Sequence, residues 1–234
     1  MKALALATAV SVVLACAVGA QDSGKTNGAR RGMEAAVTPS VDVAAIQKKI
    51  ENFSEGVKNE PKNDKWYGAR GQSYWRIGKY DLALKDMNQA IALNSTKSAY
   101  FAVRGDVFSK LNRNREAYDD YGKAIAIGPP THYLFLQRGY TAVCFKDYKA
   151  AEESAKSALA LSPNDADTLA LIGGIDGKLG KLQESLKYLD KAISIHSTDP
   201  SLYTLRAETH RGLGHIELAK KDLEAAKRVS ESSR

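Results

Sequence analysis

Two cysteines, Cys16 and Cys144, in 234 residues leave no disulfide framework, and none can form within the chain once Cys16 is removed with a leader. Cys144 then reads as an unreactive, partly buried thiol, because nothing nearby in sequence supplies a base. The four histidines, His132, His196, His210 and His215, lack metal-ligand spacing. Residues five apart do not share a helical face, and no cysteine or carboxylate cluster completes a set, so neither a metal nor another cofactor is expected. Long apolar runs are scarce too. Beyond the first twenty residues nothing approaches the roughly 20 apolar residues that span a bilayer. No nucleophile, acid–base pair or cofactor loop is present, so the chain is expected not to be an enzyme. The nearest approach, Gly173-Gly174-Ile175-Asp176-Gly177-Lys178, has no strand before it and Leu179 where a phosphate loop needs Ser or Thr. The formal charge is +7, but basic and acidic residues interleave along the chain. That distribution fits a solvated surface better than a nucleic-acid stripe, and no nucleic-acid partner is expected.

What the chain does have is a period. Small residues recur every 34 positions at Gly71, Gly105, Gly139, Gly173 and Ala207. Twelve residues after these stand Ala83, Ala117, Ala151, Ser185 and Ala219, and seven further on come Ala90, Ala124, Ala158, Ala192 and Ala226. Seven residues are two helical turns, so the second and third sets share one face and let another helix approach closely. Met87, Tyr121, Leu189 and Leu223, with the smaller Ala155, fill the position between them. A first-half stripe runs through Tyr67, Phe101, Phe135, Leu169 and Tyr203. The pattern predicts two amphipathic helices per unit, repeated as a solenoid, an architecture that binds more often than it catalyses.

The breaks agree. Gly78-Lys79, Asn112-Arg113, Lys146-Asp147, Gly180-Lys181 and Gly214-His215 fall between the paired helices, where a left-handed residue ends the first. Units are expected at 64–97, 98–131, 132–165, 166–199 and 200–234. A half repeat over 41–61 precedes them, with Ile46, Ile50, Phe53 and Val57 on one face to cover the first unit and Ser40 as the cap of its helix.

Repeat one reads Trp66-Tyr67, Gly71, Tyr74, Gly78, Tyr80, Ala83, Met87 and Ala90, and repeats two and three end on Pro129 and Pro163. On these residues the segment from about 43 to 229 resembles the tetratricopeptide (TPR) repeat family. The resemblance implies an all-α, right-handed superhelical solenoid whose first helices line a concave groove for a segment of a partner protein. Carried over by phase, that groove takes Gln72, Trp75 and Arg76 from repeat one and Ala102, Asp106 and Ser109 from repeat two. Tyr133, Leu136, Tyr140 and Val143 follow from repeat three, and Gly174 and Lys178 from repeat four. Trp75 and Tyr140 are the expected anchors, since aromatics carry a large share of interface energy. A competing reading has Tyr133 and Leu136 packing between repeats. The lysine and asparagine clamp with which some family members hold a C-terminal carboxylate is absent from these positions.

An arginine precedes the leading small residue in four units: Arg70, Arg104, Arg138 and Arg206. Sixteen residues on stand Asp86, Asp120, Ser154 and Asp222, and in repeat four both partners are replaced together, by Ile172 and Tyr188. Joint loss predicts contact, so the arginines are expected to form salt bridges inside their repeats. Arg138 faces a serine instead, which leaves its charge to a glutamate such as Glu153, to solvent, or to a ligand carboxylate. The first helix of repeat four, with Gly173, Gly174 and Gly177 and with Asp176 in place of an aromatic, is expected to be the least stable element of the array.

Met1-Lys2 and the apolar run from Ala3 to Ala15 form a secretory signal, with a cleavage site at Val18-Gly19-Ala20. Val13-Leu14-Ala15-Cys16 offers an alternative, a bacterial lipobox in which lipidated Cys16 tethers the chain to a membrane. Residues 21–40 read as a disordered linker. The expected product is an exported, periplasmic or secreted, scaffold or adaptor. The alternatives are a tethered assembly factor or chaperone-like lipoprotein, and a regulatory subunit of an enzyme complex.

Overall fold

The computed structural model describes residues 42–232 and holds eleven helices and no strand among them. They are α1 Val43–Asn59, α2 Asp64–Arg76, α3 Tyr80–Leu93, α4 Ser98–Lys110, α5 Asn114–Ile127 and α6 His132–Cys144. After these come α7 Tyr148–Leu161, α8 Ala166–Lys178, α9 Leu182–Ile195, α10 Pro200–Gly212 and α11 Ile216–Ser232. The described residues divide within α6 into two compact units, 42–141 and 142–232.

Local chemistry sets the helix starts. Side-chain oxygens of Asp42, Asn63, Asp147, Asp165 and Asp199 accept from backbone N–H groups of the first turns, satisfying donors that a helix leaves free. The α1 cap is therefore Asp42; the cap expected at Ser40 lies outside the described residues. All five residues that open the turns within repeats have positive φ: Gly78 at 74°, Asn112 at 58°, Lys146 at 62°, Gly180 at 76° and Gly214 at 78°. Asn112 and Lys146 hold the left-handed conformation without glycine's freedom, a less favourable choice for a residue with a Cβ.

In the unit of residues 42–141, helices α1 to α5 pack in chain order, each on the next, and α2 also touches α4. Ile46 and Ile50 are buried on α1, with Phe53 and Val57 half-buried, where α1 packs on α2. Trp66 lies over Gly56, where an added Cβ would come within 2.5 Å of the indole. The centre of this unit gathers Phe101, Phe108, Ala117, Tyr121, Ala124 and Leu134. A Cβ at Gly105 would approach Tyr121 to 2.9 Å, and one at Gly71 would approach Met87 to 2.8 Å. The leading small residue thus exists to admit the large residue of the second helix.

The unit of residues 142–232 follows the same order, with α8 touching α10 as well as its neighbours. Its core joins Leu169, Ala170, Leu189, Ala192, Leu202 and Leu205. Every residue from Thr168 to Asp176 is buried. Ile172, in the position of the repeat arginine, is 1% exposed. Each such side chain removed from water contributes about 1.5–3 kcal/mol, which offsets the roughly 1 kcal/mol that each helical glycine costs relative to alanine. Asp176 is buried with its carboxylate 3.6 Å from Lys181 Nζ, and burial raises its pKa above the usual carboxylate range. Among the described residues no helix is long and apolar enough to cross a membrane. The readings of residues 1–40, including lipidation of Cys16, lie outside the described residues.

Candidate protein-interaction site

The three arginine–aspartate pairs foreseen from spacing are present as two-point forks. Arg70 Nε and Nη2 donate to Asp86 at 2.7 and 2.8 Å. Arg104 donates to Asp120 at 2.6 and 2.9 Å, and Arg206 to Asp222 at 2.9 and 2.6 Å. The three aspartates are buried and their arginines only partly so. Planar two-point pairing holds each carboxylate in register, and Asp86 raises the pKa of Arg70. These side chains join the two helices of one repeat and are not available to a ligand.

A second partner was missed. The remaining nitrogen, Nη1, reaches sixteen residues backward, to Ser54 Oγ at 3.3 Å from Arg70, Asn88 Oδ1 at 2.7 Å from Arg104 and Asp190 Oδ1 at 2.6 Å from Arg206. Each arginine therefore also binds the helix before its own. Stepping back sixteen residues would have exposed this in the sequence, since Ser54, Asn88 and Asp190 are all hydrogen-bonding residues; Gly122, before Arg138, is not.

Arg138 is the exception. Its Nη2 donates to the Tyr118 hydroxyl at 2.7 Å and its guanidinium lies 4.3 Å from the centroid of that ring. Its Nε is buried without a hydrogen-bond partner. Ser154, at the sequence position of the missing aspartate, turns its hydroxyl to the Ala150 carbonyl.

Among the groove candidates of the unit 42–141, the structure joins Asp106 and Tyr133. The Tyr133 hydroxyl donates to Asp106 Oδ1 at 2.6 Å, and the Tyr121 hydroxyl donates to the same oxygen at 2.8 Å. Burial raises the Asp106 pKa, while the two hydroxyls and the Lys110 charge draw it back. Burial and the neighbouring carboxylate hold both tyrosines well above the ordinary phenol range, so they stay protonated as donors. Tyr133 nevertheless leaves 45% of its surface exposed. Gln72 and Arg76 on α2 are exposed, while Trp75, Ala102 and Ser109 are half-buried. Tyr140 and Leu136 are buried on α6. The Tyr100 hydroxyl donates to Asp64 Oδ2 at 2.7 Å, and the Tyr100 ring covers Gly68, tying α4 to α2 beside these residues. In the unit 142–232, Val143 and Gly174 are buried and Lys178 is exposed in the last turn of α8. No group of three or more His, Cys, Asp or Glu arranged to hold a metal occurs among the described residues.

A family model described as the tetratricopeptide repeat matches residues 66–97, 166–198 and 200–233. The chain carries tetratricopeptide repeats. Among solved structures it is similar to YrrB, "a TPR protein with an unusual peptide-binding site", with 20% identity, a TM-score of 0.68, and coverage of 77% of this chain and 93% of that one. It is also similar to MamA from Desulfovibrio magneticus RS-1, at 16% identity, a TM-score of 0.68, and coverage of 72% of this chain and 96% of that one. A chain of the APC/C hetero-tetramer Cut9–Hcn1 matches at 16% identity with a TM-score of 0.63, over 80% of this chain and 37% of that one. No curated protein matches. At these identities the structural likenesses establish the fold, an all-α TPR solenoid, and the TPR fold points to protein partners.

Proposed function

We propose that this TPR protein is a non-catalytic, exported scaffold that binds a peptide segment or helix of a partner protein on the face formed by the first helices of its repeats. The observation that carries the reading is Tyr133, an aromatic ring half open to solvent whose hydroxyl is fixed by Asp106, itself also held by Tyr121. An anchor already immobilised loses little rotamer freedom when a partner arrives, and exposed aromatics held in this way are the side chains that dominate interfaces. Gln72 and Arg76, exposed on α2, and half-buried Ser109 on α4 are further polar candidates on the first helices. The peptide-binding site named for YrrB supports the class of ligand. Export rests on the apolar run of the first twenty residues and its two alternative processing sites.

A photo-crosslinking residue at Tyr133, with a control at exposed Lys85 on α3, tests the reading in the native host. Capture of a protein at Tyr133 and not at Lys85 is expected. Equal capture at both, or none at Tyr133, removes the groove assignment. N-terminal sequencing of the mature chain tests export separately. A start at Gln21 supports the soluble form, a lipid-modified start at Cys16 supports the tethered form, and an intact Met1 overturns both.

A further inference from the structure

The arginine that precedes the leading small residue follows one rule in repeats one, two and five, and breaks it in repeat three. Where the rule holds, Nε and Nη2 grip an aspartate sixteen residues ahead, and Nη1 grips a polar side chain sixteen residues behind. Arg138 has neither. The residue ahead is Ser154, which bonds its own helix, and the residue behind is Gly122, which has no side chain to offer. What remains is one neutral hydroxyl, that of Tyr118, at Nη2, and a buried Nε without an acceptor. A permanently charged, half-buried guanidinium supplied with a single neutral acceptor is an under-satisfied cation.

We propose that Arg138 is a carboxylate-binding position, filled in the working complex by an acidic group of the partner protein. The incoming carboxylate takes the role that Asp86, Asp120 and Asp222 play inside the other repeats. It replaces the Tyr118 hydroxyl at Nη2 and gives Nε its acceptor. Exchange of a neutral acceptor for a charged, two-point one strengthens both bonds. The Tyr118 ring, packed against the guanidinium face in the free chain, moves aside with its hydroxyl and opens the buried Nε to the acid. Helical geometry separates this position from the Tyr133 anchor: five residues correspond to about 140° around α6. The acidic group therefore contacts the seam between α5 and α6 rather than the face that holds Tyr133. The proposal rests on the reading of this chain as a binder of protein segments and specifies one chemical feature of the segment.

Gly122 makes the proposal testable without loss of the arginine. A Cβ there would lie 3.6 Å from Arg138 Nε, an ordinary contact, so Gly122→Asp brings an internal carboxylate within reach of the guanidinium. The full-length mature chain would be titrated with two short peptides at constant ionic strength. One is acetylated and amidated with a central glutamate; the other has a C-terminal carboxylate as its sole acid. Wild type is expected to bind one of them about tenfold more tightly than Arg138→Met does, the loss suited to one charge-assisted hydrogen-bonded pair. Gly122→Asp should lose binding to the same degree while unfolding at a higher temperature, which shows a filled site rather than a damaged one. Preference for the glutamate peptide identifies a side-chain acid, and preference for the other a chain terminus. Equal affinity of all three proteins for both peptides, or no binding by wild type, overturns the proposal. Crosslinking at Tyr133 that persists in Gly122→Asp separates failure here from failure of the groove reading.

Discussion

Repeats two and four join their helices by opposite chemistry. In repeat two the contact is ionic: Arg104 grips buried Asp120 and reaches back to Asn88. In repeat four the same positions hold Ile172, which is buried, and Tyr188, which packs half-buried on the core of Leu169, Leu189 and Leu202. Buried ion pairs are expensive to desolvate and gain their value from geometry, whereas an apolar pair gains its value from area. One repeat is thus specified by direction and the other by volume. The glycine-bearing helix α8 is the best-covered helix of its unit, so the composition that suggested weakness coexists with the burial that opposes it.

The comparison is broken most severely by removal of one partner in repeat two. Asp120→Ala should cost about 3–5 kcal/mol in chemical denaturation, because Arg104 is left partly buried without its counter-ion. Combining Arg104→Met with Asp120→Leu should recover most of that loss, making repeat two resemble repeat four; a double variant no better than the single would show that direction is indispensable there. The corresponding injury in repeat four, Ile172→Ala, should cost about 2–4 kcal/mol, set by lost area and the cavity left behind.

Two glycines sharpen the contrast within α8. At Gly173 a Cβ would meet Leu189 at 2.8 Å, whereas at Gly177 its nearest neighbour would be Ser185 Oγ at 3.6 Å. Gly173→Ala should therefore destabilise by about 1–3 kcal/mol, while Gly177→Ala should stabilise by about 0.5–1 kcal/mol through helix propensity. Thermal unfolding distinguishes the signs, and equal effects would refute the packing account.

The smallest expected effect concerns pH in repeat five. His210 is half-buried, its Nδ1 has no hydrogen-bond partner, and its Nε2 lies 3.8 Å from Asp222, which Arg206 already holds. Burial lowers its pKa, with Arg206 and His215 acting in the same direction against the pull of Asp222 and Asp190. The unfolded chain then binds a proton more readily than the folded one. Stability should fall as pH drops below about 6.5 toward the lower folded value. Hydrogen exchange of α10 and α11 should show this loss in wild type and a flatter response in His210→Phe. Identical slopes would remove the histidine from the account.

Contacts at fixed offsets within the 34-residue period were readable in the sequence. The pairs Arg70–Asp86, Arg104–Asp120 and Arg206–Asp222 announced themselves because their loss in repeat four was coordinated, and the left-handed turns because glycine marks three of five. The Tyr133–Asp106–Tyr121 cluster was not readable, because it occurs once and joins three helices across 27 residues. Asp106 and Tyr133 were both placed on the candidate face by phase, but no periodic signal said that one holds the other. Tyr118 was hidden for a related reason. Its bond to Arg138 exists because the usual partners are missing, and a substitute contact leaves no regular trace.

The close fit of rings over glycines constrains how this chain can change over time. Trp66 requires Gly56 and Tyr100 requires Gly68, each glycine lying in the unit before the ring, because a Cβ there would come within 3.0 Å of the ring. Neither member of such a pair can be replaced freely while the other stays. Drift at these sites must proceed in coupled steps, and a repeat copied or moved to another place in the array would arrive with an aromatic ring but without the glycine of its former neighbour. Equal in length and similar in outline, the repeats are nevertheless not interchangeable parts; their order is written into the contacts between them.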